Sequence, residues 1–420
     1  MTTSSGTKLS PLLGAAFPPN GIPAEYLPPL IELQEAIDTE IAPRAQETDQ
    51  KGRYPTASIT ALKQKTSVLA SALPKKLGGL EVPQRWTLEA EVRLAIADSA
   101  VAQVFKIHDE VVREVLTFCP PAMQPRLASA IIDDKAIVGL AVAESGRRVD
   151  DPMKTTALPQ PDGSFVINGV KIYTTGAAEA DLIATWAFNP AAPGVDLNPA
   201  AGMQLNLVPA GTPGVSIKRD WDALGQRATD SGTIVFENVR TEPKWNATEP
   251  GQFPPLHASL RYQAGFAALM IGLGIGALRA AVPFISEKSR PWPSANVARA
   301  SEDPYVQRLA GDLVADLAAA YALTLSTGDL LDAFERGEVD RTAVAIPIYA
   351  AKVAATRAAL KATSEIYTLM GTRAVARTNA FDRYWRNVRT ISLHDPVEWK
   401  YAELGHHVLT GWDPPWGLYQ

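Results

Sequence analysis

The sequence predicts an α+β fold that is mostly α: an N-terminal helical domain, a central β-domain and a C-terminal helical bundle. Three observations carry this. Apolar residues recur at helical spacing up to about residue 135, short alternating segments separated by turn residues follow, and long heptad-like stripes fill the rest. The chain has 420 residues, 46% hydrophobic and 20% charged, an ordinary globular composition with ample material for a core. A formal net charge of −5 offers no electrostatic reason for a nucleic-acid or acidic-membrane partner. With one cysteine, Cys119, no intramolecular disulfide can form.

Residues 1–24 are rich in Pro, Gly, Ser and Thr and read as a flexible arm. The N-terminal helical domain spans residues 25–135. Leu30, Leu33, Ile37 and Ile41 form its first helical stripe, stopped by Pro43. A second helix is expected from Ser58 to about Leu73, a break at Pro74–Pro83, and one or two helices over Trp86–Leu116. The β-domain covers residues 136–250. Asn168-Gly169 predicts a tight hairpin turn, and Met203–Val208 and Gly232–Val239 read as strands. Residues 251–420 form the C-terminal four-helix-type domain. Its stripes are Leu309, Leu313, Leu317, Tyr321 and Ile346, Val353, Leu360, Tyr367; Lys352, Arg357, Lys361 and Glu365 take other positions of the second helix. Ala264–Leu278 is the longest uncharged apolar run, short of the roughly 20 residues of a membrane span, and is expected to be a buried helix. No secretory pattern is recognised at the start, so the expectation is a soluble, cytoplasmic protein without a membrane partner. Gly272, Gly274 and Gly276 do not match a dinucleotide fingerprint and read as helix-packing glycines.

Local stretches add a resemblance that covers nearly the whole chain after the arm. Gly139–Gly146 (GLAVAESG), Lys171–Asp181 (KIYTTGAAEAD), Gly214–Val239 and Leu369–Arg373 (LMGTR) resemble segments of the acyl-CoA dehydrogenases. In those enzymes a catalytic glutamate lies in a segment that aligns with Arg386–Pro396 (RNVRTISLHDP), and the glutamate position is occupied by Asp395. The His394-Asp395-Pro396 segment, Trp385-Arg386-Asn387, Asp220-Trp221-Asp222, Gln226–Gly232 and Ser289-Arg290-Pro291-Trp292 resemble the dibenzothiophene monooxygenase branch of the superfamily. That resemblance implies a two-component flavin-dependent monooxygenase. A separate NAD(P)H-dependent flavin reductase supplies reduced FMN (FMNH2), with FAD as the alternative. Oxygen is activated as a flavin C4a-hydroperoxide that oxygenates a small, S- or N-containing aromatic substrate. Two other readings stay open: an FAD-dependent acyl-CoA dehydrogenase or oxidase working through Asp395, and a catalytically silent binding homologue.

The resemblance also implies site residues. His394 is the expected proton manager, because an imidazole titrates near working pH. Thr175 falls where the family places a hydroxyl beside the flavin, with Thr174 next to it and Tyr173 as the neighbouring aromatic. Val142 and Ala143 contribute backbone groups, and Trp221 and Ser231 occupy branch positions near the cofactor. Arg290 and Arg373 are candidates for its phosphate, reached across a subunit boundary, which implies a homotetramer. Phe105 and His108 are expected on the substrate side, although His108 also reads as an ordinary helical polar residue. No metal site is expected: His108-Asp109-Glu110 and His406-His407 lack ligand spacing on a helix.

Overall fold

The computed structural model describes residues 13, 15–19, 21–148, 151–252 and 258–416. Six helices come first: α1 (Leu27–Ala36), α2 (Ala45–Lys51), α3 (Thr56–Lys65), α4 (Gln84–Ala97), α5 (Ser99–Phe118) and α6 (Gln124–Ile132). Seven strands follow: β1 (Val138–Ala141), β2 (Thr156–Pro159), β3 (Phe165–Lys171), β4 (Leu182–Phe188), β5 (Met203–Pro209), β6 (Val215–Lys218) and β7 (Thr233–Arg240). The chain closes with α7 (Ala258–Glu287), α8 (Pro304–Glu335), α9 (Arg341–Met370), α10 (Asp382–Ile391) and α11 (Val397–Thr410).

The strands form one sheet in the order β1-β4-β2-β3-β7-β6, with β5 paired to β4. Asn168-Gly169 does not turn the chain, as expected from sequence, but lies inside β3, where the register against β7 shifts between Ile167 and Gly169. Gly169 has φ +155, and a side chain there would collide with Thr155, so glycine serves a bulge rather than a hairpin. The helix expected over Ser58–Leu73 stops at Lys65 and continues as a short turn at Val68–Ala70. Most of the arm lies outside the described residues. Phe17, within it, is fully buried and packs edge-on against Tyr321 at 5.8 Å, so this part of the arm is docked.

Helix α7 is the hub. It packs against α4, α8, α9 and α10, and its apolar residues from Ala264 to Leu278 are all buried. A Cβ on Gly272 would sit 2.6 Å from Ala95 Cβ, one on Gly274 2.6 Å from Leu317, and one on Gly276 2.6 Å from the Ile96 carbonyl. Small residues are required for that approach, as expected for packing glycines. By length and composition α7, α8 and α9 would each suffice to cross a membrane; 78% of the most apolar window of α7 is buried inside the protein.

Helices α4 and α5 are split at Asp98, whose side chain caps α5 by accepting from the N–H groups of Ala100 and Val101. Burial raises this carboxyl to about 6, against the opposing charge of Arg383 and the two capping N–H groups. A carboxyl raised above its ordinary value favours the protonated form on folding. Its contribution is therefore complete below the unfolded value near 3.8 and is lost as pH rises through about 6. Asp98→Asn keeps a capping oxygen that cannot ionise. Relative to the wild type it should gain about 2 to 3 kcal/mol between pH 4 and pH 7, read by urea unfolding. A difference that stays constant across that window would show that Asp98 does not titrate as described.

Candidate active site

The site begins where β3 ends. The Lys171 ammonium is buried, 2.7 Å from Glu144 and 3.1 Å from the Val142 carbonyl, while Ile172 N–H donates to Ala143 O at 2.9 Å. These bonds fasten the turn after β1, which holds Val142 and Ala143, to the strand end. Tyr173 follows with φ +55, a left-handed conformation an aromatic side chain rarely adopts. Its ring is 64% exposed and meets Trp221 edge-to-face at 5.9 Å. Thr174 spends both its N–H and its hydroxyl on the Gly232 carbonyl, at 3.2 and 2.8 Å.

Thr175 starts a chain of buried hydroxyls. Its Oγ1 lies 2.9 Å from Ser231 Oγ; Ser231 Oγ donates to Thr229 Oγ1 at 2.8 Å, and Thr229 Oγ1 to the Gln226 carbonyl at 2.8 Å. A carbonyl can only accept, so every proton in the chain points toward Gln226. Thr175 is thereby left as a donor to Ser231 with its own lone pairs available to the site. The loop holding this chain contains two more left-handed residues, Gln226 (φ +50) and Asp230 (φ +48). It is fixed by Arg219, paired with Asp230 at 2.6 Å and Glu179 at 2.9 Å. A buried amide cluster holds the other end: Gln226 N–H donates to Asn387 Oδ1 at 2.7 Å, Ser99 Oγ to Gln226 Oε1 at 2.6 Å, and Gln226 Nε2 to Gln103 at 2.6 Å. The loop is thus bolted to α5 and to α10, the helix that leads to His394.

His394 sits in the turn between α10 and α11 with its side chain 48% exposed. Its ring packs tilted against Phe266 of α7, with centroids 4.3 Å apart, and Nδ1 faces Asp395 Oδ1 across 3.5 Å. Asp395 is bonded to Lys352 Nζ and accepts from Gln263 Nε2 at 3.2 Å; Lys352 also donates to Gln263 Oε1. Burial pushes the Asp395 carboxyl up, but hydrogen bonding from His394 and the charge and hydrogen bond of Lys352 outweigh it and hold it below the usual carboxylate range. Helix α5 spans the distance between the hydroxyl chain and His394. Val104 and Ile107 lie 3.9 Å from where a Cβ of Gly176 would be, and Lys106 Nζ lies over the Phe266 ring at 4.0 Å.

Two expectations need correction. His108 is fully buried: its Nε2 donates to Leu69 O at 2.9 Å and its Nδ1 accepts from Val138 N–H at 3.1 Å. Burial lowers its pKa, and the neutral ring knits α5 to β1, with no ring nitrogen left for substrate. Phe105 is 1% exposed and belongs to the apolar core. Arg290 and Arg373 do cluster, since Arg373 donates to the Lys288 carbonyl at 3.1 Å and Ser289 to Met370 O at 2.8 Å. That cluster follows the C-terminal end of α7, whereas Gln263 lies near its start. Gln226, Asn387, Gln263, Phe266 and Lys352 were not anticipated as site residues.

Comparison with known proteins places this geometry. Residues 139–239 match the acyl-CoA dehydrogenase middle domain and residues 264–399 its C-terminal domain. The chain belongs to the acyl-CoA dehydrogenase family. Within it, the chain is 31% identical over 395 residues to dibenzothiophene monooxygenase of Mycolicibacterium goodii, covering 90% of this chain and 93% of that protein. It is 30% identical over 400 residues to the probable FMNH2-dependent monooxygenase SfnC of Pseudomonas putida, covering 93% and 97%. The FMN-bound structure of TdsC from Paenibacillus sp. A11-2 superposes with a TM-score of 0.86 at 31% identity, over 94% of this chain and all of that one (100%). TdsC has also been solved with FMN and indole together. The chain thus falls in the dibenzothiophene monooxygenase-like branch of the family.

The residues present fit an isoalloxazine. The exposed Tyr173 ring, held in a strained backbone and buttressed by Trp221, offers a flat aromatic wall beside the hydroxyl chain. Reduced FMN carries an N–H on its central ring where oxidised FMN carries a bare acceptor nitrogen, so an accepting Thr175 favours the reduced form. Thr229→Val removes the anchor of the chain and lets Thr175 donate outward. In titrations of both redox forms under anaerobic conditions, this variant should shift the ratio of Kd values toward oxidised FMN by roughly fivefold to tenfold; an unchanged ratio would show that chain polarity does not discriminate.

Proposed function

We propose that the chain is the oxygenase of a two-component system, taking reduced FMN from a separate NAD(P)H-dependent flavin reductase and using O2 to oxygenate a small aromatic substrate containing S or N. The observation that carries this reading is Asp395. A dehydrogenase needs a carboxylate at this position able to remove a C–H proton. Here the carboxylate is bonded to Lys352 and Gln263, and the His394 hydrogen bond together with the Lys352 charge and hydrogen bond hold it below the usual carboxylate range against burial, so its affinity for a proton is low. The group able to move a proton is the neighbouring imidazole, half-exposed on Phe266.

Reduced FMN supplies the two electrons with which one atom of O2 enters the substrate and the other leaves as water. The chain does the rest. Tyr173 and Trp221 hold the ring plane, Thr175 accepts from a ring N–H, and the packed α5–α7 wall excludes water. His394 delivers a proton to reduced oxygen and takes one back from solvent. An aromatic substrate suits a site beside the Phe266 and His394 rings, and the aromatic ligands named for the relatives support it. Arg290 and Arg373, brought to one place by the meeting of the Lys288–Ser289 and Met370–Arg373 segments, are read as meeting the phosphate bound by a neighbour in a homotetramer. The exposed Trp399, Val408 and Leu409 of α11 offer apolar surface for such association.

The test is a reaction with reduced FMN and 18O2 in the presence of dibenzothiophene or indole, followed by mass spectrometry. One labelled oxygen atom in the product is expected. Bleaching of bound FAD by an acyl-CoA, with no label incorporated, would restore the dehydrogenase reading. His394→Ala should keep FMN affinity but lower product formed per reduced FMN roughly 100-fold, with the balance released as hydrogen peroxide.

A further inference from the structure

Three buried residues from three separate elements converge behind His394. Gln263 (3% exposed) comes from α7, Lys352 (2%) from α9, and Asp395 (7%) from the turn that carries His394 itself. Their hydrogen bonds close a triangle: Lys352 donates to both Asp395 Oδ1 and Gln263 Oε1, and Gln263 Nε2 donates to Asp395 Oδ2. Both carboxylate oxygens are therefore engaged, and the Asp395 side chain cannot turn without breaking bonds in a dry interior. Oδ1, the oxygen facing Lys352, is also the one 3.5 Å from His394 Nδ1. The other constraint on the imidazole is the Phe266 ring, one helical turn from Gln263 on α7, with Lys106 Nζ 4.0 Å from its centroid. Taking an ion pair out of water is costly, and apolar residues of similar size would serve packing alone at least as well.

We infer that Asp395, locked by Lys352 and Gln263, is a positioning residue that sets the tautomer of His394. A fixed carboxylate can only accept, so it selects the neutral imidazole with its proton on Nδ1, whereas an unconstrained histidine carries it mainly on Nε2. Nε2 is then the nitrogen left to gain and lose the proton of the reaction, and the ring cannot present the wrong edge. The inference rests on the role proposed for His394, but its central statement concerns the protein's own protons. Lys352 acts only through Asp395.

The tautomer is read directly by 15N NMR of the histidine-labelled full-length protein at a pH where the ring is neutral; the His394→Ala spectrum assigns the resonance among the five histidines. The wild type should show a protonated Nδ1 and an unprotonated Nε2. Lys352→Met/Asp395→Leu replaces the pair by apolar side chains of similar size, a change that folded cores tolerate. It should return His394 to the Nε2–H form and lower product per reduced FMN roughly 10- to 100-fold, and adding His394→Ala should bring the loss to no more than the roughly 100-fold of His394→Ala alone. Lys352→Arg should retain the Nδ1–H form and most of the coupling. A wild-type spectrum with Nε2 protonated would overturn the inference whatever the variants do, as would a folded double variant that keeps Nδ1–H. A tautomer that switches while coupling stays intact would uphold the lock and instead remove His394 from the proposed reaction.

Discussion

Helix α7 runs through the molecule with apolar side chains buried from Ala264 to Leu278, and three glycines let its neighbours approach to about the limit of backbone contact. The consequence is mechanical. A helix held this closely by α4, α8, α9 and α10 cannot slide or rotate without opening voids along its whole length. Gln263 and Phe266 back the His394 turn near one end of the helix, and Arg290 follows the other. The spacing of these groups is set by the rise of one rigid helix.

The β-domain solves a different problem, presenting polar groups with a defined direction. A hydroxyl is both donor and acceptor, and alone it would rotate to suit any ligand. Linking Thr175, Ser231 and Thr229 in series and ending the series on a carbonyl removes that freedom. The cost appears as strain: Tyr173, Gln226 and Asp230 all hold left-handed φ values around the chain. Such conformations persist because neighbouring bonds over-determine them, here the Arg219 ion pairs and the Ser99–Gln226–Asn387 cluster.

Much of this was legible in the sequence, for identifiable reasons. The helix–strand–helix order follows from periodicity, because a buried stripe must repeat with the geometry of its element. The glycines of α7 were readable as packing residues since no strand precedes them. The Asn168-Gly169 hairpin failed because the dipeptide reports only that the backbone needs positive φ, and a bulge meets that need as well as a turn does. His108 misled for a related reason: its place on α5 is correct, but periodicity cannot show that Leu69 O and Val138 N–H lie at its two nitrogens. Lys352 was the least legible. Among the charged positions of α9 it looks like a solvated residue, and only the fold reveals that Asp395, 43 residues later, is waiting for it inside.

That pairing bears on how one fold separates two chemistries. Removing a proton from carbon calls for a carboxylate whose affinity for a proton is high, which burial alone would provide. Here burial is opposed by the His394 hydrogen bond and the Lys352 cation, which together hold the carboxyl below the usual carboxylate range. Such a group cannot be the base, but it is well suited to holding one. In the proposed reading, proton movement passes to the adjacent imidazole, whose exposure to solvent would let it recharge between turnovers. The change from a reaction at carbon to a reaction with oxygen therefore needs no rearrangement of the scaffold. In the proposed reading, a lysine on α9 reaching Asp395 in the turn after α10 would reassign which side chain handles the proton.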